Sequence, residues 1–209
     1  THRSHGGSGF RPINHLAGFT FSLSDVHIRP MAILKIARMG HPVLRRRAEE
    51  VEDPDAPENR YLVHNMIETM ADARGLGLAA PQVHVSKRLV IFYAPAGDPD
   101  RASGEPAERE LTVLFNPVTE PVSDEKVFGW EGCLSVPDLR GEVPRHASIR
   151  YRGLTLDGGT IDRTVHGMHA RVVQHECDHL DGVLYPMRMT DLSKLVFDSE
   201  FHHFIEAVD

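Results

Sequence analysis

The residues best suited to chemistry lie in the segment QHECDHLDG, where His175 and His179 flank Glu176. Two histidines four positions apart lie within roughly 40° of each other on a helix surface, so both rings can reach one metal ion. A glutamate directly after the first histidine can take a proton from a water molecule beside that metal. The spacing therefore predicts a metal-dependent hydrolase, but two histidines alone do not complete a metal site.

The helix that carries these histidines is predicted to run from about Gly167 to Leu180. Met168 and Val172 share the histidine face, and an opposite face is also apolar, consisting of Ala170, Val173, Cys177 and Leu180. Only a narrow stripe is polar, consisting of Arg171, Gln174, Asp178 and Asp181. A helix with two apolar faces is usually buried in the middle of a domain, where a metal would satisfy the histidines.

The third ligand has to come from elsewhere in the chain. Cys177 is roughly 160–200° around the helix from both histidines, which favours a core position. One class of zinc proteases uses H-E-x-x-H-x-x-G-x-x-H, but Tyr185 stands where that class has its third histidine. A thermolysin-like ligand at Glu200 is an alternative that lacks its usual sequence context. Cys133, in the glycine-flanked segment EGCLS, can supply a thiolate and leave a fourth position open for water.

Three other interpretations compete with a metal site that uses Cys133. The segment GLGLAA matches a dinucleotide-binding fingerprint, but that site needs a preceding strand, and a helix is predicted there instead. A Cys133–Cys177 disulfide is the alternative to a reduced thiol, although two cysteines are too few for a disulfide framework. A metallopeptidase of the HExxH type is the alternative function.

Three segments together resemble the peptide deformylase family: GLGLAAPQ (75–82), EGCLSVP (131–137) and QHECDHLDG (174–182). They occur in the family's order, and the similarity runs from about Met31 into the C-terminal helix. The resemblance implies removal of the N-formyl group from the initiator methionine of new polypeptides. It also implies a divalent metal, with Fe²⁺ as the native ion and Zn²⁺, Ni²⁺ or Co²⁺ compatible with purified protein.

The resemblance further assigns roles to individual residues. It implies Cys133, His175 and His179 as the metal ligands and Glu176 as the acid and base. Other roles follow the same motifs: an oxyanion hole of Gln82 and the backbone N–H of Leu134, substrate alignment by Gly77, and a methionine pocket of Leu76, Leu134 and Val172. Arg171 stands where some relatives have an apolar residue, so the resemblance does not assign that wall of the pocket. Arg140 and Glu131 are expected to form a pair that supports the metal ligands or aligns the substrate, and an ordinary surface ion pair is the alternative.

The remaining segments predict the elements around this helix. Leu62, Met66 and Met70 recur every four residues and predict a helix that ends near Arg74 and Gly75. Strands are predicted over 88–94 and 111–117, and segment 125–137 is predicted to be a strand that runs into a Gly-Cys segment. A loop is predicted over 97–110, and a hairpin over 148–165 that turns at Asp157-Gly158-Gly159. A last helix is predicted from Asp191 to the end. In the sequence, the predicted strands lie in the middle and the predicted helices lie near both ends. This order favours an α+β fold whose largely antiparallel sheets pack around a central metal-binding helix.

Bulk properties are those of an ordinary soluble globular protein, with 41% hydrophobic and 25% charged residues. The net charge of −7 argues against non-specific nucleic-acid binding, and no apolar run could span a membrane. Residues 1–30 are predicted to be a leader, tag or extension before one catalytic domain over 31–209. We expect a bacterial cytoplasmic protein, or an organellar one if that leader is a transit segment. The acidic C-terminal segment favours a helix packed on the domain over a basic helix for transient ribosome docking.

Overall fold

The structure is a computed structural model that describes residues 32–95 and 109–208. Those residues form eight strands and three α-helices, which confirms the predicted α+β class. The predicted leader and residues 97–108 of the predicted loop lie outside the described residues, and the boundary at residue 30 stays a prediction. Among the described residues, no helix has the length and apolarity that a membrane span requires.

The strands form two sheets in which every neighbouring pair is antiparallel. The larger sheet has, in spatial order, β1 (Gly77–Ala79), β2 (Leu89–Pro95), β3 (Arg109–Pro121), β6 (Ser148–Leu154) and β7 (Thr160–His166). The smaller sheet has β4 (Lys126–Cys133), β5 (Val136–His146) and β8 (Leu195–Phe197) in that order. The helices are α1 (Pro57–Asp72), α2 (Gly167–Leu180) and α3 (Phe201–Val208).

The predicted first helix is confirmed as α1, and its apolar stripe faces the core. Met66 and Met70 are fully buried on it. The helix ends where the sequence indicated, but Arg74, with φ of 54°, takes the left-handed conformation that glycine usually supplies. The N–H of Gly75 then donates to the carbonyl of Met70 at 2.9 Å, which closes the last turn and directs the chain into β1.

The strand predicted over 111–117 does not stop at Pro117, as expected, but continues to Pro121 in β3. The register shifts between Phe115 and Val118, so Pro117 lies in a β-bulge where its missing N–H breaks no regular ladder. Asn116 adopts φ of 48° in this bulge, and its side chain forms two hydrogen bonds, of 2.9 and 2.8 Å, with the backbone of Val51.

Two further differences concern the smaller sheet. β5 was not predicted, because Pro137 and Pro144 interrupt a segment whose burial nevertheless alternates along the strand. The helix predicted from Asp191 to the end is wrong at its start, since a short 3-10 helix and β8 come first and α3 begins at Phe201. Pairing of β8 with β5 outweighs the local preference of that segment.

The helix predicted from about Gly167 to Leu180 is confirmed as α2, and it contacts both sheets. Its apolar residues Ala170, Val173, Cys177 and Leu180 are buried in one cluster with side chains of the larger sheet. Both cysteines are free, so the alternative of a Cys133–Cys177 disulfide is wrong. The thiol of Cys177 has a pKa raised by burial, which fits the predicted role of a small core residue.

His169, on the first turn of α2, is the buried group from which we expect an acid-dependent loss of stability. Its ring lies against Phe92 and Tyr151, with centroid distances of 6.0 and 5.7 Å. Burial, and next the charge of Arg163, lower the pKa of His169 from 6.5 to about 4. The unfolded chain therefore binds this proton more readily. The stabilisation present above pH 6.5 is lost as the pH falls toward 4.

At pH 4.5 this effect amounts to roughly 2–3 kcal/mol, from about 1.4 kcal/mol per pKa unit. Urea unfolding at pH 7 and pH 4.5 measures it as a difference between the wild type and His169→Gln. The wild type should lose that much more stability than the variant on acidification. Equal losses in both proteins would show that His169 does not titrate as proposed.

Candidate functional site

The structure brings Cys133, at the end of β4, to the two histidines of α2. The candidate ligand atoms of Cys133, His175 and His179 all lie within 4.8 Å of one another. The Sγ of Cys133 lies 3.3 Å from Nε2 of His179. A tetrahedral metal with ordinary thiolate and imidazole bond lengths would separate these two atoms by about 3.6 Å. The three predicted ligands therefore form one cluster that fits a four-coordinate cation with a position left for water.

Glu131 fixes the orientation of the His175 ring. Its Oε2 lies 2.8 Å from Nδ1 of His175, which leaves Nε2 as the nitrogen available to a metal. Burial raises the pKa of Glu131, but hydrogen bonds from His175 and Arg145 outweigh it and lower the pKa to about 2. Burial, and next the charge of His175, lower the pKa of His179 well below its ordinary value.

Glu176 is buried beside the cluster and close to Gly77. A β-carbon at position 77 would lie 2.6 Å from Cδ of Glu176, so the carboxylate requires a glycine there. The Oε2 of Glu176 is buried and has no hydrogen-bond partner among the described residues. Burial raises the pKa of this carboxyl group to about 7. Such a group can both accept and return a proton near neutral pH.

Gln82 faces the same cluster with its amide oriented by the backbone. Its Oε1 accepts a hydrogen bond from the N–H of Ala79 at 2.8 Å, so Nε2 points toward the site. That Nε2 lies 3.1 Å from Oγ of Ser135 and 3.6 Å from Sγ of Cys133. The side chain can therefore donate to an oxygen that develops negative charge beside the cluster.

The predicted pocket residues lie on the segments that flank this cluster. Leu76 precedes Gly77 and is 43% exposed. Leu134, next to Cys133, approaches the same segment closely, since a β-carbon at Gly75 would lie 2.9 Å from its Cδ1. Val172 is half-buried and lies three residues before His175 on α2. These positions are compatible with an apolar pocket, whose role in binding stays a prediction.

Asp178, in the polar stripe of α2, binds arginines of the surrounding segments rather than solvent. Asp178 accepts hydrogen bonds from Arg145 at 2.6 Å and from Arg188 at 2.7 Å. Arg145 is buried and also donates to both carboxylate oxygens of Glu131, at 2.9 and 3.0 Å. A buried ion network thus joins β4, β5 and α2 around the ligand cluster.

The expected pairing of Arg140 with Glu131 is wrong. Arg140 forms an ion pair with Asp198, and its guanidinium lies 5.1 Å from the ring centre of Phe201. Glu131 is instead buried against Arg145, Arg171 and His175. A buried carboxylate needs close cationic partners, and Arg145 and Arg171 supply them to Glu131. Glu131 therefore does not pair with Arg140, although the two residues are close in sequence. A role for Arg140 in binding substrate stays a prediction.

The alternative ligands lie outside the cluster. Tyr185, at the position of the third histidine in one protease class, is buried and stacks on His175 with 6.3 Å between ring centres. Glu200 is exposed and bonds to Ser199, so the thermolysin-like alternative has no support. The GLGLAA segment forms β1 and a 3-10 helix (Ala80–Val83) after α1, which excludes a dinucleotide-binding turn.

Sequence reasoning missed three residues near the site. Ser135 is buried and its N–H lies 3.4 Å from Sγ of Cys133, while Arg145 and Asp178 form the ion network. Asp178 gave a usable signal, because an acid on a helix predicted to be buried requires a cationic partner. Nothing in the sequence indicated that the partner would come from the unpredicted strand β5.

Loss of the Glu131 charge is expected to destabilise the protein strongly. Glu131→Gln leaves Arg145 and Arg171 with less compensation in a buried position, so we expect about 3 kcal/mol or more of lost stability. Urea unfolding of metal-free protein measures this without contribution from an ion. Glu120→Gln removes the exposed partner of Arg152 and should cost under about 1 kcal/mol. A loss no larger for Glu131→Gln than for Glu120→Gln would contradict the proposed importance of the network.

The fold and the cluster together define a class of protein. An α+β domain holds a His-Glu-x-x-His helix in its interior and presents a cysteine to both histidines. This combination is typical of metal-dependent hydrolases with one protein thiolate at the metal.

Comparisons with known proteins narrow this class. Residues 33–195 match the family described as Polypeptide deformylase. The chain is 56% identical over 159 residues to Peptide deformylase 1 of Bordetella pertussis, covering 76% of this chain and 89% of that protein. It is 48% identical over 165 residues to Peptide deformylase 1 of Nitrosomonas europaea, and the match covers 78% of this chain and 90% of that protein. The chain also resembles the Met-Ala-Ser bound crystal structure of class I type b peptide deformylase from Acinetobacter baumannii, with 37% sequence identity and a TM-score of 0.68. That match covers 77% of this chain and 100% of the crystallised chain.

The chain therefore belongs to the peptide deformylase family. It is an enzyme that removes the N-formyl group from newly made polypeptides, and the family depends on a metal. The predicted family, fold class and reaction are all confirmed, and a metallopeptidase function is not supported.

Proposed function

We propose that Cys133, His175 and His179 bind one divalent cation and that Glu176 transfers the proton during deformylation. The observation that carries this proposal is the clustering of three ligand atoms within 4.8 Å beside a buried carboxylate oxygen that has no partner among the described residues. When bound, the cation supplies a Lewis acid that polarises the formyl oxygen and makes a water molecule more acidic.

Glu176 is the proton carrier of this reaction. Its Oε2 accepts a proton from the attacking water and returns it to the departing amine, so the amine leaves neutral. Gly77 leaves the space that the carboxylate needs. A pKa of about 7 places the carboxyl group in the range where both transfers are favourable.

Gln82 and Leu134 stabilise the oxygen on which negative charge develops. The Gln82 amide is already oriented by Ala79, and the Leu134 N–H follows Cys133 directly in the chain. Each such donor contributes roughly 3–4 kcal/mol to transition-state stabilisation. Gly77 aligns the substrate backbone, and the methionine side chain occupies a pocket formed by Leu76, Leu134 and Val172.

We further propose Fe²⁺ as the native metal, with Zn²⁺, Ni²⁺ or Co²⁺ able to occupy the same donors. The bacterial relatives support a cytoplasmic location. Transient contact with the ribosome through α3 has less support, since α3 packs on β4. Trp130 contacts Phe201 and Phe204 of α3, with 4.8 and 5.6 Å between ring centres.

An assay with matched peptides tests the proposed reaction. Formyl-Met-Ala-Ser should release a free amine in the presence of metal-loaded protein, whereas acetyl-Met-Ala-Ser should release little. The formyl carbon carries hydrogen where acetyl carries a methyl group, and a tight site excludes the larger group. Cleavage of an internal bond in unformylated casein, without activity on the formyl peptide, would favour a metallopeptidase instead.

A further inference from the structure

Arg171 lies over Gly129 and fills the space that a side chain would occupy there. A β-carbon at position 129 would lie 2.8 Å from Nη2 and 2.9 Å from Cζ of Arg171. Alternate residues of a strand share one face, so Val127, Gly129 and Glu131 face α2 together. The arginine side chain is only 11% exposed in this position.

The guanidinium of Arg171 is bound by the two strands of the smaller sheet. It donates to the carbonyl oxygens of Val127, Gly129 and Val143, at 2.7, 3.2 and 3.0 Å. It also donates to Oε1 of Glu131 at 2.8 Å. Hydrogen bonds from a charged donor are about twice as strong as those between neutral groups, so this residue joins α2 firmly to β4 and β5.

The two elements that Arg171 joins are those that carry the ligand cluster. Arg171 lies one helical turn before His175, and Glu131 lies two residues before Cys133. Glu131 contacts both Arg171 and His175. Its Oε1 accepts a hydrogen bond from Arg171, and its Oε2 lies within hydrogen-bond distance of Nδ1 of His175. A displacement of Arg171 would remove its bonds from α2 to β4 and β5 and one of the bonds that fix Glu131 beside the His175 ring.

We propose that Arg171, seated over Gly129, is a positioning residue for the metal centre. It holds β4 against α2 at the separation that lets Cys133 and the histidines bind the same ion. This inference rests on the ligand set given under the proposed function. It assigns Arg171 to the metal centre rather than to the substrate pocket.

Cobalt(II) binding tests the inference without relying on activity. Arg171→Met keeps much of the side-chain volume but removes all four donated hydrogen bonds. We expect its Co²⁺ affinity, measured by competition with a chelator, to fall by about 10–100-fold. The visible absorption of the cobalt–thiolate centre should also change, because the Cys133 geometry shifts. Arg150→Met is the matched control, since Arg150 forms an exposed ion pair with Asp162, and it should bind as the wild type does.

A second pair of variants separates positioning from general stability. Gly129→Ala should displace the guanidinium and weaken Co²⁺ binding in the wild-type background, but have a smaller effect in Arg171→Met. Arg171→Lys should recover only part of the lost affinity, because lysine cannot match the planar set of donors. If Arg171→Met does not fold, weakened Co²⁺ binding by Gly129→Ala still supports the inference, and unchanged binding overturns it.

An unchanged affinity and spectrum in Arg171→Met, with or without a lower unfolding midpoint, would overturn the inference. Failure of the proposed ligand set would give a different result, because the wild type itself would then lack a cobalt–thiolate absorption.

Discussion

Glu176→Gln is expected to lower kcat/KM for formyl-Met-Ala-Ser by about 10²–10⁴-fold while the metal stays bound. Glutamine has nearly the same shape, so it fits the space that Gly77 leaves for the carboxylate. It cannot take up the proton of the attacking water or return it to the leaving amine. Steady-state kinetics on protein of known metal content measure the change.

The expected loss appears in kcat more than in KM, because proton transfer acts on the transition state. Metal content equal to that of the wild type is the control for an intact site. Full activity of Glu176→Gln with metal bound would exclude the proposed proton carrier, even though the ligand cluster would remain unaffected.

Cys133→Ser is expected to weaken ferrous binding by about 100-fold or more. Replacing partners outside the ligand set commonly costs 10–100-fold in affinity, and loss of the thiolate itself should reach at least the upper limit. The measurement is iron retained after anaerobic dialysis against a chelator. Stability of the metal-free protein should change little, since Cys133 is only half-buried.

Cys177→Ser is the matched control on the same helix as both histidines. Its side chain is 7% exposed in the apolar cluster with Ala170 and Val173, away from the ligand atoms. We expect normal iron retention and a modest loss of stability, because a hydroxyl group is buried where a thiol was. Equal loss of iron in both variants would contradict the ligand assignment.

Local sequence signals predicted the elements whose patterns are self-contained. The period of α1, the Asp157-Gly158-Gly159 turn between β6 and β7, and the two apolar faces of α2 were each sufficient. The regular angle between successive residues of a helix also places Cys177 on the side of α2 away from the histidines. Periodicity and helix geometry depend only on neighbouring residues, so they can be determined from one sequence.

Long-range pairing could not be obtained in the same way. β5 contains two prolines and becomes a strand because β4 and β8 pair with it on both sides. Pro117 marks a bulge rather than a strand end because Asn116 binds the distant backbone of Val51. Tertiary contacts outweigh local propensity at these points.

The candidate site shows the same division. Residue types left Cys133 as one candidate for the third ligand, the resemblance to the peptide deformylase family implied that role, and the structure places it with both histidines. The partners of Glu131 could not be inferred, because Arg145 and Arg171 approach it from β5 and α2. A buried carboxylate requires cations, but a sequence does not show which cations the fold will bring to it.

The most direct test of the site combines two measurements on one anaerobic sample. Metal-free protein is loaded with increasing Fe²⁺, and bound iron per chain is determined together with amine release from formyl-Met-Ala-Ser. We predict activity that rises in proportion to bound iron, reaches its maximum at one ion per chain, and disappears on chelation. Full activity in the metal-free protein, or no activity at one bound ion per chain, would contradict a metal-dependent deformylase built on Cys133, His175 and His179.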